Sequence, residues 1–340
     1  MKAIIMAGGV GSRLRAVTGE HPKPMVSFLG RPMMEHIILL LKKQGFEDIC
    51  VTLRYKSEEI INYFGNGDKF GIKLQYRVEQ QPLGTAGSIK NCGDFYGGED
   101  FLVISGDAAC DFSLRELMDT HKQTKACATL ALYRNAEPLS YGLAVTTEDG
   151  SIRCFVEKPQ WNRVVSDLVN TGIYVLSPKA MSYVPENKAF DFGKELFPLL
   201  LQRGEKLMGR ELSGYWCDVG SPLSYYKCCV DALEGRLKLD IPQEFFIRSG
   251  EMAADPEARG ISMDCRCKNR AELMSALSRI CLDLGADYSD GLRLSKPHYR
   301  LHIAPLSELS AVRLSVQAED TEFARSLALS AEELIKALDL

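Results

Sequence analysis

The 340-residue chain is 46% hydrophobic and 25% charged, with a net charge of −4, an ordinary globular composition at a length that calls for two domains. The acidic balance argues against a nucleic-acid partner, which needs a basic surface, and the longest clean apolar run, residues 37–41, falls far short of the ~20 residues of a membrane helix. Eleven cysteines without a C-x-x-C pair read as buried reduced thiols; with no signal-peptide pattern at the N-terminus, the expected location is cytoplasmic.

Residues 3–6, AIIM, read as a short strand buried on both faces. Ala7, Gly8, Gly9 and Gly11 follow. Glycine takes positive φ and keeps Cβ atoms out of the way, so successive N–H groups can hold phosphate oxygens in one concavity, and Ser12 is placed to cap a helix there. Arg13 then offers a planar fork, and Lys23, between Pro22 and Pro24, a point charge on a stiff segment. Neither the G-x-G-x-x-G fingerprint nor the P-loop fits this spacing. A helix opened by Pro32 carries Met33, Met34, Ile37, Ile38 and Leu41 at helical spacing, and Gly45 closes it. A strand at 49–53, a helix at 58–64 and a strand at 72–78 predict right-handed βαβ units in a parallel sheet, with ligands beyond the carboxyl ends of the strands.

The strand at 72–78 runs into Glu79-Gln80-Gln81-Pro82-Leu83-Gly84-Thr85-Ala86-Gly87, and a continuous apolar strand at 101–104 delivers Ser105-Gly106-Asp107. A carboxylate in that position suits Mg²⁺, which takes one or two protein carboxylates beside substrate phosphates. Asp111 reads as a solvated turn residue. A helix at 113–123 and a strand at 126–133 lead to Tyr141-Gly142 and to a strand at 152–156 ending in Glu157-Lys158-Pro159. Val169-Asn170-Thr171-Gly172-Ile173-Tyr174 is apolar apart from Asn170 and Thr171; an amide there needs a partner, and a buried structural hydrogen bond is the alternative to a ligand contact. After a helix at 196–201 comes Gly214-Tyr215-Trp216-Cys217-Asp218-Val219-Gly220-Ser221-Pro222, then a helix at 223–234.

Together these motifs resemble the sugar-1-phosphate nucleotidyltransferases over residues 1–235. The opening stretch is similar to G-G-x-G-x-R-L-x-P-L-T followed by P-K-P, with Ala16-Val17 where Pro-Leu is usual; P-L-G-T-A-G, G-D, Y-G, E-K-P, N-T-G-I-Y and G-Y-W-x-D-V-G-x-P follow in family order. The resemblance implies an α/β fold, a Rossmann-like doubly wound mixed sheet. It implies that Ala7, Gly8, Gly9, Gly11, Glu79, Pro82, Gly84 and Thr85 bind the nucleotide, and Gly142, Glu157, Asn170 and Thr171 the sugar. Asp107 and Asp218 would hold Mg²⁺, while Arg13, Lys23 and Lys158 would serve the pyrophosphate, the α-phosphate and the attacking phosphate. A nucleoside triphosphate and a hexose 1-phosphate are the expected partners. A carboxylate at Glu79 accepts from both N1–H and the amine of guanine, whereas uracil or thymine offers a single N–H; this favours GTP, and the resemblance of the C-terminal part to a phosphomannomutase module favours mannose 1-phosphate, so GDP-mannose is the expected product. UTP or dTTP with glucose 1-phosphate is the alternative, and a non-enzymatic sugar-nucleotide-binding regulator a third reading.

The expected domains are 1–238, a linker at 239–260 and a small α+β domain at 261–340. The latter has a strand at 261–265, a helix at 270–284, Asp290-Gly291-Leu292-Arg293, strands at 299–303 and 312–316, and a helix at 321–338. It shows no hexapeptide repeat. Its order resembles the C-terminal domain of the phosphohexomutases, whose phosphate loop R-P-S-G-T-E-P aligns with residues 304–310, where only Pro305 matches. A non-catalytic scaffold, a homo-oligomer interface or an effector site is the expectation.

Overall fold

The computed structural model describes residues 1–9, 11, 14, 18, 21–160, 164–241, 254–255, 260–281, 286–288, 291–306, 310–318 and 321–338. In chain order the elements are β1 (Lys2–Met6), β2 (Ser27–Phe28), β3 (Arg31–Pro32), α1 (Met33–Lys43), β4 (Asp48–Leu53), α2 (Ser57–Phe64), β5 (Lys73–Val78), α3 (Gly84–Lys90), α4 (Gly93–Tyr96), β6 (Phe101–Ser105), β7 (Ala108–Cys110) and α5 (Leu114–Thr124). They continue with β8 (Ala128–Arg134), β9 (Gly142–Thr146), β10 (Ile152–Glu157), β11 (Leu168–Leu176), α6 (Pro178–Ser182), α7 (Phe197–Gln202), β12 (Leu207–Glu211), β13 (Trp216–Asp218) and α8 (Pro222–Leu233). The last are β14 (Ala254–Asp255), β15 (Gly260–Arg266), α9 (Arg270–Cys281), β16 (Leu292–Ser295), β17 (Tyr299–Pro305), β18 (Ala311–Ala318) and α10 (Thr321–Leu338). Among the described residues no helix is long and apolar enough to cross a membrane. All eleven cysteines are free thiols, nine of them buried.

Packing forms two compact units, Met1–Val10 with Met34–Asp218, and Gly11–Met33 with Val219–Leu340. It thus groups residues 11–33 with the C-terminal part, whereas the expected domains ran 1–238 and 261–340. The first unit is built on a nine-stranded mixed sheet in the order β10-β9-β11-β6-β1-β4-β5, with β8 on β11 and β12 on β8. β6, β1, β4 and β5 are mutually parallel, while β11 runs antiparallel to β6 and β8. Ile4, Ile5, Val51, Val103 and Ile104 are fully buried, as continuous apolar strands covered on both faces must be. In α1, Met34, Ile37, Ile38 and Leu41 face the core, and Gly45, at φ 85, ends the helix. Pro32, expected to open α1, lies instead in β3 opposite Ser27; a two-residue edge pairing tolerates its missing N–H.

Helix α5 is capped by Ser113, whose hydroxyl accepts from the Glu116 N–H, and its inner face buries His121. The imidazole Nδ1 lies 2.8 Å from the Thr129 hydroxyl. Burial pushes the proton affinity of His121 below its usual value, against the pull of Asp100. The sign follows from linkage: as pH falls below ~6.5 the unfolded imidazole takes up its proton before the folded one, so stability present at neutral pH is lost on acidification. The melting temperature is expected to fall between pH 7 and 5 more steeply in the wild type than in His121→Gln. Parallel curves would relieve His121 of this role.

The second unit holds a five-stranded antiparallel sheet in the order β14-β15-β18-β17-β16, with α10 packed on β18 and β15 and α9 on β16. β14 pairs its two residues with Gly260 and Ile261, extending the sheet into what reads as linker. The β2–β3 hairpin belongs here too. The Tyr225 hydroxyl of α8 donates to the Ser27 carbonyl at 2.7 Å, and the Phe28 and Tyr225 rings meet edge-on at 6.1 Å.

Candidate active site

From β1 the chain moves to β4 and β5 on one side and returns to β6 on the other, so a crevice opens beyond the carboxyl ends of β1 and β6. The loops after these strands interlock. The Gly106 N–H donates to the Met6 carbonyl at 2.8 Å, and a Cβ on Gly106 would stand 2.8 Å from that same oxygen. Ala7 is anchored by its N–H on the Thr52 carbonyl at 3.0 Å. Gly8 and Gly9 do not take the positive φ expected of the loop, which among these glycines is confined to Gly11 at φ 64. Gly9 is exposed, and a Cβ there would meet nothing within 4 Å. Its small size leaves bare backbone facing open space.

In the second unit, a Cβ on Gly11 would lie 2.8 Å from that of Lys23, so glycine there lets the loop lie against the lysine stem. Lys23 opens a single helical turn, Lys23–Met25, behind Pro22 at φ −65, and is buried. Arg13 and Ser12 lie outside the described residues.

Asp107 and Asp218 come together in the first unit because β7 and β13 pair antiparallel with Asp218 opposite Ala108. Both are half-buried, and the Ser105 hydroxyl donates to Asp107 Oδ1 at 2.6 Å. Asp111 is no solvated turn residue. Its Oδ1 accepts from the Tyr215 N–H at 2.7 Å, and its own N–H donates to the Tyr215 carbonyl at 3.2 Å, which extends the β7–β13 pairing by one residue. Among the described residues no three His, Cys, Asp or Glu side chains cluster as a metal cage. A pair of carboxylates without such a cage fits an ion that keeps waters and takes substrate phosphates, as Mg²⁺ does.

Glu79 follows β5 and continues its pairing, its N–H donating to the Leu53 carbonyl at 2.8 Å. The side chain is buried, yet Oε1 has no hydrogen-bond partner among the described residues. An orphaned buried carboxylate oxygen is costly to a folded chain unless a donor arrives from outside. Gly84 stands five residues on at φ 69, where a Cβ would lie 2.6 Å from the Phe190 carbonyl oxygen. That oxygen accepts from the Ala86 and Gly87 N–H groups at 2.9 and 3.0 Å. Gly84→Ala is therefore expected to cost about 1–3 kcal/mol, read as a lower denaturant midpoint; an unchanged midpoint would show that the loop yields freely. The Thr85 hydroxyl is engaged within the protein, donating to Asp191 Oδ2 and accepting from the Phe192 N–H, each at 2.9 Å. Pro82 is exposed at the mouth of the loop.

On the sugar side of the expected site, Gly142 lies opposite Glu157, and a Cβ on Gly142 would approach Glu157 Oε2 to 2.6 Å. A Cβ on Gly193 would strike the same oxygen. Partial burial, helped by Asp191, pushes the Glu157 carboxyl above its usual range, while Lys158 and Lys194 pull it back. Lys158 is exposed, held at φ 43 with its N–H on the Tyr141 carbonyl at 3.1 Å. Asn170 satisfies its amide internally: Oδ1 accepts from the Gly172 N–H at 3.1 Å and Nδ2 donates to the Tyr174 hydroxyl at 2.9 Å. The Thr171 hydroxyl, fully engaged in the sheet, donates to the Ala131 carbonyl at 2.8 Å and is buried.

Sequence reasoning passed over Asp191. Its Oδ1 accepts from the Gly193 and Lys194 N–H groups at 2.9 and 3.0 Å, while Oδ2 takes the Thr85 hydroxyl. One carboxylate thus ties the loop beside Glu79 to the backbone beside Glu157. The available signal was Asp191 followed two residues later by Gly193, the pattern of a side chain capping its own turn.

The nucleotidyl transferase family model matches residues 2–235. A UTP–glucose-1-phosphate uridylyltransferase of Synechocystis is 34% identical over 251 residues, 70% of this chain and 65% of that protein. A mannose-1-phosphate guanyltransferase of Debaryomyces hansenii is 35% identical over 267 residues, 76% of this chain and 73% of the yeast protein. The chain thus spans about two thirds to three quarters of the length of these relatives. Among solved structures, a putative glucose-1-phosphate thymidylyltransferase of Bacillus anthracis superposes with a TM-score of 0.63 at 28% identity, covering 72% of this chain and 98% of that one. HddC of Yersinia pseudotuberculosis, complexed with GMP-PN, superposes at 0.58 with 29% identity, covering 67% and 97%. With that match, and with Gly8 after β1, Asp107 after β6 and Glu79 after β5 all at the carboxyl ends of parallel strands of one mixed sheet, the chain belongs to the nucleotidyl transferase family, among its sugar-1-phosphate nucleotidyltransferases.

Proposed function

We propose that the chain transfers GMP from GTP to mannose 1-phosphate, giving GDP-mannose and pyrophosphate. The observation that carries the choice of base is Glu79, whose buried Oε1 lacks a donor among the described residues and suits the two adjacent N–H donors on the guanine edge. The names of the Debaryomyces relative and of the GMP-PN complex support the same base. A phosphate oxygen of the sugar phosphate attacks the α-phosphorus in line; the bond from that phosphorus to the bridging oxygen breaks, and pyrophosphate leaves with the electron pair. No side-chain nucleophile takes part, so alignment and charge neutralisation supply the rate. The bare backbone at Gly8 and Gly9 holds phosphate oxygens, Lys23 the α-phosphate, Lys158 the attacking phosphate and Arg13 the leaving group. Asp107 and Asp218 would hold Mg²⁺, which when bound neutralises phosphate charge. Glu157, partly desolvated, accepts the sugar hydroxyls. The C-terminal part, read as a decayed phosphohexomutase-like domain, takes no part in the chemistry and offers a surface for self-association; the reaction is placed in the cytoplasm.

Pyrophosphate release with Mg²⁺, measured for five nucleoside triphosphates against mannose and glucose 1-phosphates, tests this. GTP with mannose 1-phosphate is the expected dominant pair. Dominance of UTP or dTTP with glucose 1-phosphate would overturn the substrate choice in favour of the chemistry named for the Synechocystis and Bacillus relatives. No release with any pair, together with tight binding of GDP-mannose, would make the chain a regulator.

A further inference from the structure

One face of the C-terminal sheet carries a cavity of about 690 Å³. Strand alternation decides what faces it. Leu301, Ile303, Leu314 and Val316 are buried with Leu292 and Leu294, whereas Arg293 and Arg300 are exposed and His302 and Ser315 half-buried. Pairing then lines these up across the sheet: Arg293 lies opposite His302, His302 opposite Ser315, and Ser315 opposite Ser262, with the two serine hydroxyls 3.2 Å apart. Arg300 occupies the next outward position on β17, and Lys296 sits in the turn from β16, its N–H on the Tyr299 carbonyl at 2.9 Å.

Arg293, Lys296, Arg300 and His302 line this cavity, and among the described residues no carboxylate does. In a chain of net charge −4 that is a local inversion of sign. Two acids lie in register on this face: Asp264 is held by the Arg313 guanidinium at 2.7 and 3.0 Å, and exposed Asp287 stands directly opposite Arg293, bridged to it by paired backbone hydrogen bonds of 2.8 Å, without lining the cavity. None of the four cationic residues takes part in the nucleotidyl transfer proposed above. The segment aligned with the mutase phosphate loop starts at Ala304, at the opposite end of β17 from Arg300.

We propose that this cavity is a second ligand site, for a phosphomonoester of a hexose. Guanidinium forks at 293 and 300 match phosphate oxygens in pairs, and Lys296 adds a point charge. Ser315 and Ser262, on the two strands beyond, present hydroxyls for a polyol. The length of the site selects against a bare anion. From β16 to β15 there are three inter-strand steps of about 4.8 Å, roughly 14 Å in all, so a lone phosphate engages the cationic end while a phosphosugar reaches the serines.

Calorimetric titration of the full chain with mannose 6-phosphate, which lacks the reactive 1-phosphate, tests the proposal. Saturable binding is expected, weakened at least about tenfold in the Arg293→Ser/Arg300→Ser double variant and unchanged in Asp107→Ala. Inorganic phosphate should bind more weakly than mannose 6-phosphate, and mannose not at all. Absence of saturation, equal affinity in the double variant, or loss in Asp107→Ala instead would each overturn the site; phosphate binding as tightly as mannose 6-phosphate would overturn its sugar specificity. Should the double variant melt early, Arg300→Lys, which keeps the charge without the fork, decides the matter: intermediate affinity supports the site, wild-type affinity sinks it.

Discussion

Asp107→Ala is expected to lower turnover by about three orders of magnitude with the melting temperature close to that of the wild type. Asp107 is half-buried beyond β6, where it accepts from the Ser105 hydroxyl, so its truncation removes a polar group from the edge of the structure rather than volume from the core. The reaction gathers several negative charges around one phosphorus, and a carboxylate matters there through the cation it retains rather than by touching phosphate itself. Asp107→Asn separates charge from shape: it keeps an acceptor for Ser105 and removes the charge, and should be nearly as slow as alanine. Asp218→Ala should behave alike, with the double variant little worse than either single one, because the two residues act as a unit. Pyrophosphate release at saturating substrates across a Mg²⁺ titration checks this. Wild-type turnover in Asp107→Ala would remove the residue from the metal role.

Glu79→Gln should make the protein less active with GTP and no less stable. The carboxylate offers acceptors to both N–H donors of guanine, whereas the amide turns a donor toward one of them. Loss of a hydrogen bond to a charged group costs about 1.5–3 kcal/mol, or roughly 10–100-fold in kcat/KM. UTP, with a single N–H, should lose less, so the GTP/UTP ratio shifts. Meanwhile the free protein is relieved of a buried carboxylate whose Oε1 has no donor among the described residues, so its melting temperature should hold or rise. A structural carboxylate would give the reverse, with lower stability and equal losses for every nucleotide. Melting curves and kcat/KM for the two nucleotides tell these apart.

The local features of this chain follow from local chemistry. Residues 3–6 and 101–104 are apolar on every side chain and became buried parallel strands; the spacing from Met34 to Leu41 set a helix face, and Gly45 stopped it at positive φ. The alternation in β17 and β18 likewise marked which side chains leave the C-terminal core. Side-chain period and backbone preference act over a few residues, so one stretch of sequence is enough to read them. Partner choice is not local. The meeting of Asp107 with Asp218 depends on β7 pairing with β13 in one register, and the motifs suggested it by resemblance alone. Thr171 sits in a motif that reads as sugar-binding, yet its hydroxyl donates to the Ala131 carbonyl of neighbouring β8, while Asn170 beside it finds its partners within its own strand, at Gly172 and Tyr174. Asp191 drew no functional reading from the sequence, and packing made it the tie between the Thr85 loop and the Glu157 side. The cationic row from Arg293 to Ser262 exists because β16, β17, β18 and β15 lie in that order, which brings together residues from four separate strands. Hydrogen-bond satisfaction and charge clustering depend on which strands become neighbours, and that is decided by burial of the whole sheet rather than by any one segment.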